Sequence, residues 1–438
     1  MKPGRVLALL GLALPVAAQY AGPAILTRGE APVAMAAPQI HFRPFLEITG
    51  IYDTGLATVA VTDKGGLADQ ASYGVELAWG ISGTHSWRHT KVGLEYRGSI
   101  SHYAQSSGFD SLDQSLLLGI SHQLTRHAMF SLHTSAGFFS RDFGLTGLPQ
   151  SVPFDPTTTN IPTTDFFDNR TMYVNTMADL ILQKSTRLSF DLGGGGSIVR
   201  RRSSALDGTT SANAHGDLQY RLTRRVTIGA SYNYNHFDFT HIFGGTDVHG
   251  ATGTFAVQLT RWVEFTGYAG FARAESKFIQ IVPIDPVIIA LLGITQGTQV
   301  VHTIDYVPNV SARLSRTFQR GVAYIAGGHT VVPGNGLFLT SYATTVLGGY
   351  TYTGIRRWSF GAQVNWGRSR SIGNILGTYS NISGSLSASR QLFPSVHFIA
   401  TYSARQYSSQ DFTNYNRLVH EARIGLGWSP GDVPLRIW

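Results

Sequence analysis

The feature that most limits this chain is the length of its alternating runs. Tyr73, Val75, Leu77, Trp79 and Ile81 are apolar or aromatic, while Gly74, Glu76, Ala78 and Gly80 between them are small or polar. The pattern returns at Val92, Leu94, Tyr96 and Ile100, and at Phe130, Leu132, Ala136 and Phe138. It returns again in 188–198, 226–235 and 358–367. A repeat of two puts alternate side chains on opposite faces of a strand. These runs last about 9–13 residues, against about 5–6 for an ordinary strand. A tilted strand that crosses a bilayer needs about 9–11.

The connections alternate in kind. Short ones are basic: Ser86-Trp87-Arg88, Thr125-Arg126-His127, Lys184 to Arg187, Thr223-Arg224-Arg225, Thr260-Arg261-Trp262, Arg316 to Arg320, Gly354 to Arg357 and Arg390 to Pro394. They recur roughly every 38 residues, which makes a repeated hairpin unit. Two of the intervals are about 20 residues longer, and the excess lies in 140–170 and 275–299. The other connections are longer and rich in Gly, Ser, Asn and Thr. Eight turns with both termini at the same end predict about 18 strands, with 16 as the alternative. The expected fold is an all-β transmembrane antiparallel β-barrel, with short periplasmic turns and longer extracellular loops. A propeller repeats at a similar length but needs four short strands per unit, where this chain has two long ones.

Composition removes other classes. Charged residues make up 14% of the 438, with 43% hydrophobic and 49 Gly. Soluble domains carry about 25% charged residues. With 24 Phe, 19 Tyr and 7 Trp the chain is too apolar and aromatic for disorder. It contains no Cys, which excludes zinc fingers, disulfide scaffolds and cysteine nucleophiles. The longest apolar stretch past the N-terminus, Ile279 to Ile294, is broken by Pro283, Asp285 and Pro286, so no spanning helix is expected. Residues 1–18 read as a signal peptide: Lys2 and Arg5, a short apolar core, then Val16-Ala17-Ala18 before a cut. Residues 19–40 read as a periplasmic linker, too short for a plug domain. The barrel is expected over 41–428, with a C-terminal tail at 429–438. Trp428 and Trp438 are the two candidates for the terminal aromatic, with Pro430 and Pro434 between them.

The chain resembles porin-like bacterial outer-membrane β-barrels over about 41–428. More narrowly it resembles uncharacterised outer-membrane beta-barrel proteins of acidobacterial type. Val332-Pro333-Gly334-Asn335-Gly336, Tyr352 to Ser359, and Ser429 to Pro434 before Trp438 carry that resemblance. It implies a location in the outer membrane, recognition of the terminal aromatic by the barrel assembly machinery and, by analogy, a porin-like role.

With apolar faces outward, the inner face can be read. Expected pore-lining residues are Glu76, Glu95, Arg97, His133, Asp179, Asp191, His215, Asp217 and Arg221, among a larger polar set. Trp79, Trp262, Trp358, Tyr232 and Tyr234 read as an aromatic girdle. The 275–299 segment reads as an apolar loop, with Phe278, a short helix started by Asp285 and Pro286, and Ile288 and Leu291 within it; it is expected to constrict the lumen. Arg200 to Arg202, Arg368 and Arg370 fall at the loop end, where lipopolysaccharide phosphates are expected partners. No GxSxG, HExxH or P-loop occurs, so no enzyme, cofactor or metal site is expected. Gly193 to Gly196 lacks the following Lys and reads as a bend in a strand. Nucleic acid is not an expected partner despite a net charge of +8. A homo-oligomer is an expectation by analogy. The function expected first is a channel for passive diffusion of small solutes. The alternatives are a transporter of hydrophobic compounds gated by 275–299, and a structural or receptor barrel with a blocked lumen.

Overall fold

The computed structural model describes residues 40–61, 67–104, 110–139, 171–201, 207–240, 243–283, 296–333, 340–372, 378–409, 416–429 and 433–435. Every regular element among them is a strand. They are β1 (Ile40–Val61), β2 (Leu67–Ser86), β3 (Thr90–Tyr103), β4 (Ser111–Thr125), β5 (Ala128–Phe139), β6 (Thr171–Gln183), β7 (Leu188–Arg201), β8 (Thr209–Arg221) and β9 (Val226–Phe239). There follow β10 (Gly244–Thr260), β11 (Val263–Pro283), β12 (Gln296–Phe318), β13 (Gly321–Val332), β14 (Ser341–Tyr352), β15 (Trp358–Ser371), β16 (Thr378–Phe393), β17 (Val396–Ser409), β18 (Arg417–Trp428) and β19 (Val433–Leu435).

Each of the first eighteen strands pairs antiparallel with its neighbours in sequence, and β1 pairs with β18 from Leu46–Trp428 to Asp53–Glu421. The sheet therefore closes as an eighteen-strand barrel. Past the break after Trp428, β19 takes up the remaining edge of β1, pairing Leu435 with Ile40 and Val433 with Phe42. Part of the expected tail is thus strand, and Trp428 is the aromatic that ends the closing strand. The signal peptide, nearly all of the linker, the 140–170 segment, Asp285, Pro286, Ile288, Leu291 and Trp438 lie outside the described residues.

The basic turns form for a local reason. In several of them a Ser or Thr hydroxyl accepts the backbone N–H two residues on. Thr125 Oγ1 accepts from His127 N, Ser185 Oγ from Arg187 N, Thr223 Oγ1 from Arg225 N and Thr260 Oγ1 from Trp262 N, each at 3.2 Å. These are side-chain mimics of a turn. In three of the four the residue between is an Arg, exposed at one rim: Arg126, Arg224 and Arg261.

The 275–299 segment differs from expectation. Residues through Pro283 belong to β11 and residues from Gln296 belong to β12, in unbroken register from Val263–Arg316 to Pro283–Gln296. The β-branched content that made this stretch look like an apolar loop is also what suits a pleated ladder. Two strands of 21 and 23 residues therefore rise beyond their neighbours.

The faces divide as the alternation requires. Leu46, Ile48, Tyr73, Val75, Leu77, Leu192, Ile198, Leu386, Ile424 and Leu426 are exposed on the outside. Phe271, Tyr306 and Tyr73 stand out towards the loop end, Trp262, Phe318 and Phe393 towards the turn end. Trp79 lies across Gly98 on the next strand, where a Cβ would come within 2.7–2.9 Å of the indole. A side chain at 98 would lift that ring off the wall.

The closing seam has its own clamp on the inner face. Arg423 of β18 reaches across β1 to Glu76 of β2 and also pairs with its strand neighbour Glu421. One guanidinium so ties the last strand to the first two, with Ser403 donating to Glu421 at 3.5 Å. Removing it leaves two largely buried carboxylates facing each other. Arg423→Ala is expected to cost about 2 kcal/mol. Urea unfolding followed by Trp fluorescence should show an earlier midpoint, and Glu76→Gln in the Arg423→Ala background should recover part of it.

Candidate functional site

The inner wall gathers the polar residues that alternate with the apolar exterior. A closed sheet of eighteen strands about 4.8 Å apart and tilted about 40° has a radius of about 18 Å. Side chains alone do not fill that width. Register places Glu76, Glu95, Arg97, His133, Asp179, Asp191, His215, Asp217 and Arg221 all on this face. Three sectors of the wall differ in character.

The first spans the seam, β17 to β3. Here opposite charges pair along the wall. Arg97 lies 3.5 Å from Glu47 and its guanidinium sits 5.5 Å over the Phe45 ring. With Arg423, Glu76 and Glu421 these groups brace the wall rather than offer free charge.

The second sector runs over β5 to β9 and is acidic. Asp179 of β6, Gly193 of β7 and His215 of β8 form one cross-strand row. Asp191 and Asp217 form a row of their own two residues nearer the turns. Asp179 Oδ1 lies 3.5 Å from His215 Nε2, and its Oδ2 accepts from Ser131 Oγ at 3.4 Å. Donor atoms of Asp179, Asp191 and His215 all fall within 4.8 Å of one another. Two carboxylates at about 5 Å repel by about 3 kcal/mol at an effective dielectric near 20. No Lys or Arg relieves this: among the described residues on the inner face of β5 to β9, the cations stand only at the ends, Arg201 at the loops and Arg221 at the turns. His133 is exposed to the lumen on the adjoining strand.

The glycine run explains how these side chains meet. A Cβ at Gly193 would overlap both Asp179 Oδ1 and the His215 ring. The gap in the row is the space into which both neighbours lean. Sequence reasoning assigned each of the three residues to the wall and none to a cluster, because they sit on three strands and nothing in their spacing marks them. The only local signal was the run Gly193 to Gly196 itself.

The third sector, β10 to β16, carries many small neutral residues, among them Thr252, Thr254, Ala256, Gly270, Ala272, Ala274, Gly328, Thr345, Ser383 and Ser385, with Glu264, Asp305 and Arg313 as charges and Arg313 lying 5.2 Å over the Tyr324 ring. Its loop end is covered from within. The β12–β13 ladder stops at Val310–His329, while β12 continues beside β11. Pro308, with no N–H to offer, stands two residues past that last pair, a position suited to an edge. Above the split, Val331, Tyr342 and Ile372 pack with Phe237, Val248, Ala272, Ala274 and Val307 on the lumen face of β9 to β12. Thr340 Oγ1 and Thr246 Oγ1 are 2.6 Å apart across this overlap, and Ile372 N donates to Thr340 O at 2.9 Å. The ends of β13 to β15 are thus tucked inside the barrel. The narrowing visible among the described residues comes from them. Of the residues expected to constrict the lumen, Phe278 is on the inner face of β11, and the others lie outside the described residues.

On the outside, Trp79, Trp358, Tyr232 and Tyr234 point away from the lumen, and Trp262 is exposed in the β10–β11 turn. Tyr232 Oη is 2.9 Å from His249 Nδ1, and Tyr234 donates to Asp247 Oδ1 at 2.6 Å. His236 bridges Asp247 at 2.8 Å and Asp238 at 3.0 Å. Tyr402 and His420 repeat the Tyr–His pair at 2.8 Å on the opposite side of the numbering. A tyrosine whose ring lies against an apolar surface still needs a partner for its hydroxyl, and these histidines and aspartates supply it.

No family model matches the chain, and no curated protein matches it. Among solved structures it is similar to OccK5 (OpdH) of Pseudomonas aeruginosa, at 12% identity and a TM-score of 0.43, over 90% of this chain and 98% of that one. It is similar to OprD of Pseudomonas aeruginosa at 9% identity and a TM-score of 0.40, over 90% and 96%. It is also similar to the FrpB iron transporter from Neisseria meningitidis at 10% identity and a TM-score of 0.41, over 84% and 62%.

The absence of cysteine makes the overlap directly testable by single-cysteine labelling. Ala272→Cys is expected to resist a water-soluble maleimide, since Ala272 is 1% exposed. His133→Cys should react fast from the lumen. Adding Ile372→Asp to Ala272→Cys should open the overlap and speed labelling at least about tenfold, the effect of burying a charge in an apolar contact.

Proposed function

We propose that the chain is a porin-like channel of the bacterial outer membrane, passing small polar solutes by diffusion. One observation carries this reading: a single closed sheet with an apolar outer face and a polar, mostly neutral inner one. Lipid offers backbone groups no partner, so a spanning sheet must close. It offers charges no solvation, which accounts for the aliphatic and aromatic exterior. Water inside the barrel suits the Ser, Thr, Asn and Gln of the wall.

The outward placement of Arg200, Arg368 and Arg370 at the loop end supports contact with lipopolysaccharide phosphates, which a planar guanidinium fits. Trp428, paired with Leu46 and Val396 at the end of the last long strand, supports reading by the barrel assembly machinery. The likeness to acidobacterial-type barrels rests on the turn and tail motifs alone. The second reading, a gate for hydrophobic compounds in 275–299, keeps only 284–295 to carry it, because the remainder is ladder.

Two measurements test the proposal. In planar bilayers the refolded chain should give discrete conductance steps, and under a salt gradient the reversal potential should favour cations, because Asp179, Asp191 and Asp217 share one stretch of the wall whose described Lys and Arg residues stand only at its ends. Asp191→Asn with Asp217→Asn should reduce that preference. A barrel that inserts and stays silent overturns the channel. For the outer face, Leu192→Arg is expected to cost about 2–4 kcal/mol in lipid, read as a shifted midpoint of urea unfolding from vesicles.

A further inference from the structure

We infer that Asp179, Asp191 and His215 form a binding station for a divalent transition-metal ion on the lumen wall. Access from the lumen rests on the channel reading; the binding itself does not.

The donor set is the first argument. Two carboxylates and one imidazole, with no thiolate, suit ions such as Zn²⁺ and Mn²⁺ and leave further positions open to water. The second argument is spacing. Ligands on a tetrahedral ion at about 2.1 Å lie about 3.4 Å from one another. Asp179 Oδ1 and His215 Nε2 are 3.5 Å apart, longer than a good hydrogen bond and close to that edge. Asp191 completes the set within 4.8 Å.

The third argument is what the oxygens lack. Asp179 Oδ1 and Asp191 Oδ1 are both shielded from solvent and neither accepts a hydrogen bond. A carboxylate oxygen in that position calls for a proton or a cation. Ser131 serves the other oxygen of Asp179, and the residue directly across from Asp191 on β8 is a third carboxylate, Asp217. The imidazole of His215 lies 3.5 Å from Asp179 Oδ1 and within 4.8 Å of an Asp191 oxygen, too far to donate a good hydrogen bond to either.

The fourth argument is the floor. Gly193 leaves open the space between Asp179 and His215, and a methyl group there would overlap both. An ordinary strand residue at 193 would add β-propensity and a packed side chain. The glycine instead keeps three donors converging on one point, four residues above the turn that ends β6. An ion held there would stand in the turn-side half of the lumen, below the tucked ends of β13 to β15.

The test uses the full chain refolded in detergent and titrated with ZnCl₂ in a calorimeter. Folding of every variant is checked first by the migration shift on heating. The wild-type barrel should bind one Zn²⁺ more than the Asp179→Asn, Asp191→Asn, His215→Gln triple variant. Gly193→Ala retains every donor and should weaken that site about 10–100-fold, the size of a positioning effect on a metal. Identical titrations for wild type and triple variant overturn the site. So does a Gly193→Ala barrel that binds as tightly as wild type. A wild type that takes up no Zn²⁺ but shows one proton shared between Asp179 and Asp191 by pH titration of carboxylate infrared bands also overturns it. A barrel that binds Zn²⁺ yet conducts no current supports the site and overturns the channel.

Discussion

Everything in this molecule depends on one constraint: each strand needs a hydrogen-bonded neighbour on both sides. In lipid an unpaired N–H or C=O costs several kcal/mol. On the proposed reading of a sheet that spans a bilayer, the β1–β18 pairing decides whether the other ladders can exist there at all. Among the eighteen long strands it is also the pairing with the greatest sequence separation, joining Leu46 to Trp428. Hairpin pairs form with short loops to close; this one waits for the whole chain. Arg423 acts at that place, holding β18 to β2 across β1 through Glu76. Short β19 extends the same seam along Ile40–Phe42, so β1 has a partner beyond the end of β18.

The closed sheet then sets the meaning of the sequence pattern. Period-two alternation and basic turns were legible because both are local. A Thr or Ser two residues before the bonded amide fixes the turn, and the spacing of such turns counts the hairpins. The eight short connections read from the sequence all fall between paired strands. The long connections were less legible. Phe278 to Val282 looks like a loop by its apolar run and the following prolines, yet it pairs with Gly297 to Val301. A continuous apolar run does not distinguish a buried loop from a long ladder, since periodicity is missing in both.

The lumen wall was legible residue by residue but not as an assembly. Alternation says which way His215 points; it does not say which residue stands beside it. Adjacency across strands depends on register, and register depends on turn length and strand shift. Asp179 and His215 meet because Gly193 lies between them on β7, three strands in one row. Arg423 and Glu76 meet across 347 positions of sequence. No spacing rule within one strand reaches either pair.

The narrowing of the barrel follows from the same logic. Where β13 leaves β12 at His329, two layers of chain occupy the space of one wall. A second layer fits only if the wall behind it is thin. The inner residues of β10 to β12 at that height include Gly250, Ala272 and Ala274 beside Val248 and Val307, and Phe271 and Arg273 alternate with the alanines on the outside. Small residues inside and large ones outside let the tucked ends of β13 to β15 approach the backbone, and Val331 and Ile372 fill what Ala272 and Ala274 leave. The constriction is therefore encoded in the alanines of a strand. An apolar loop was the more conspicuous feature, but a wall built to be overlapped must be built of residues that hardly fill it.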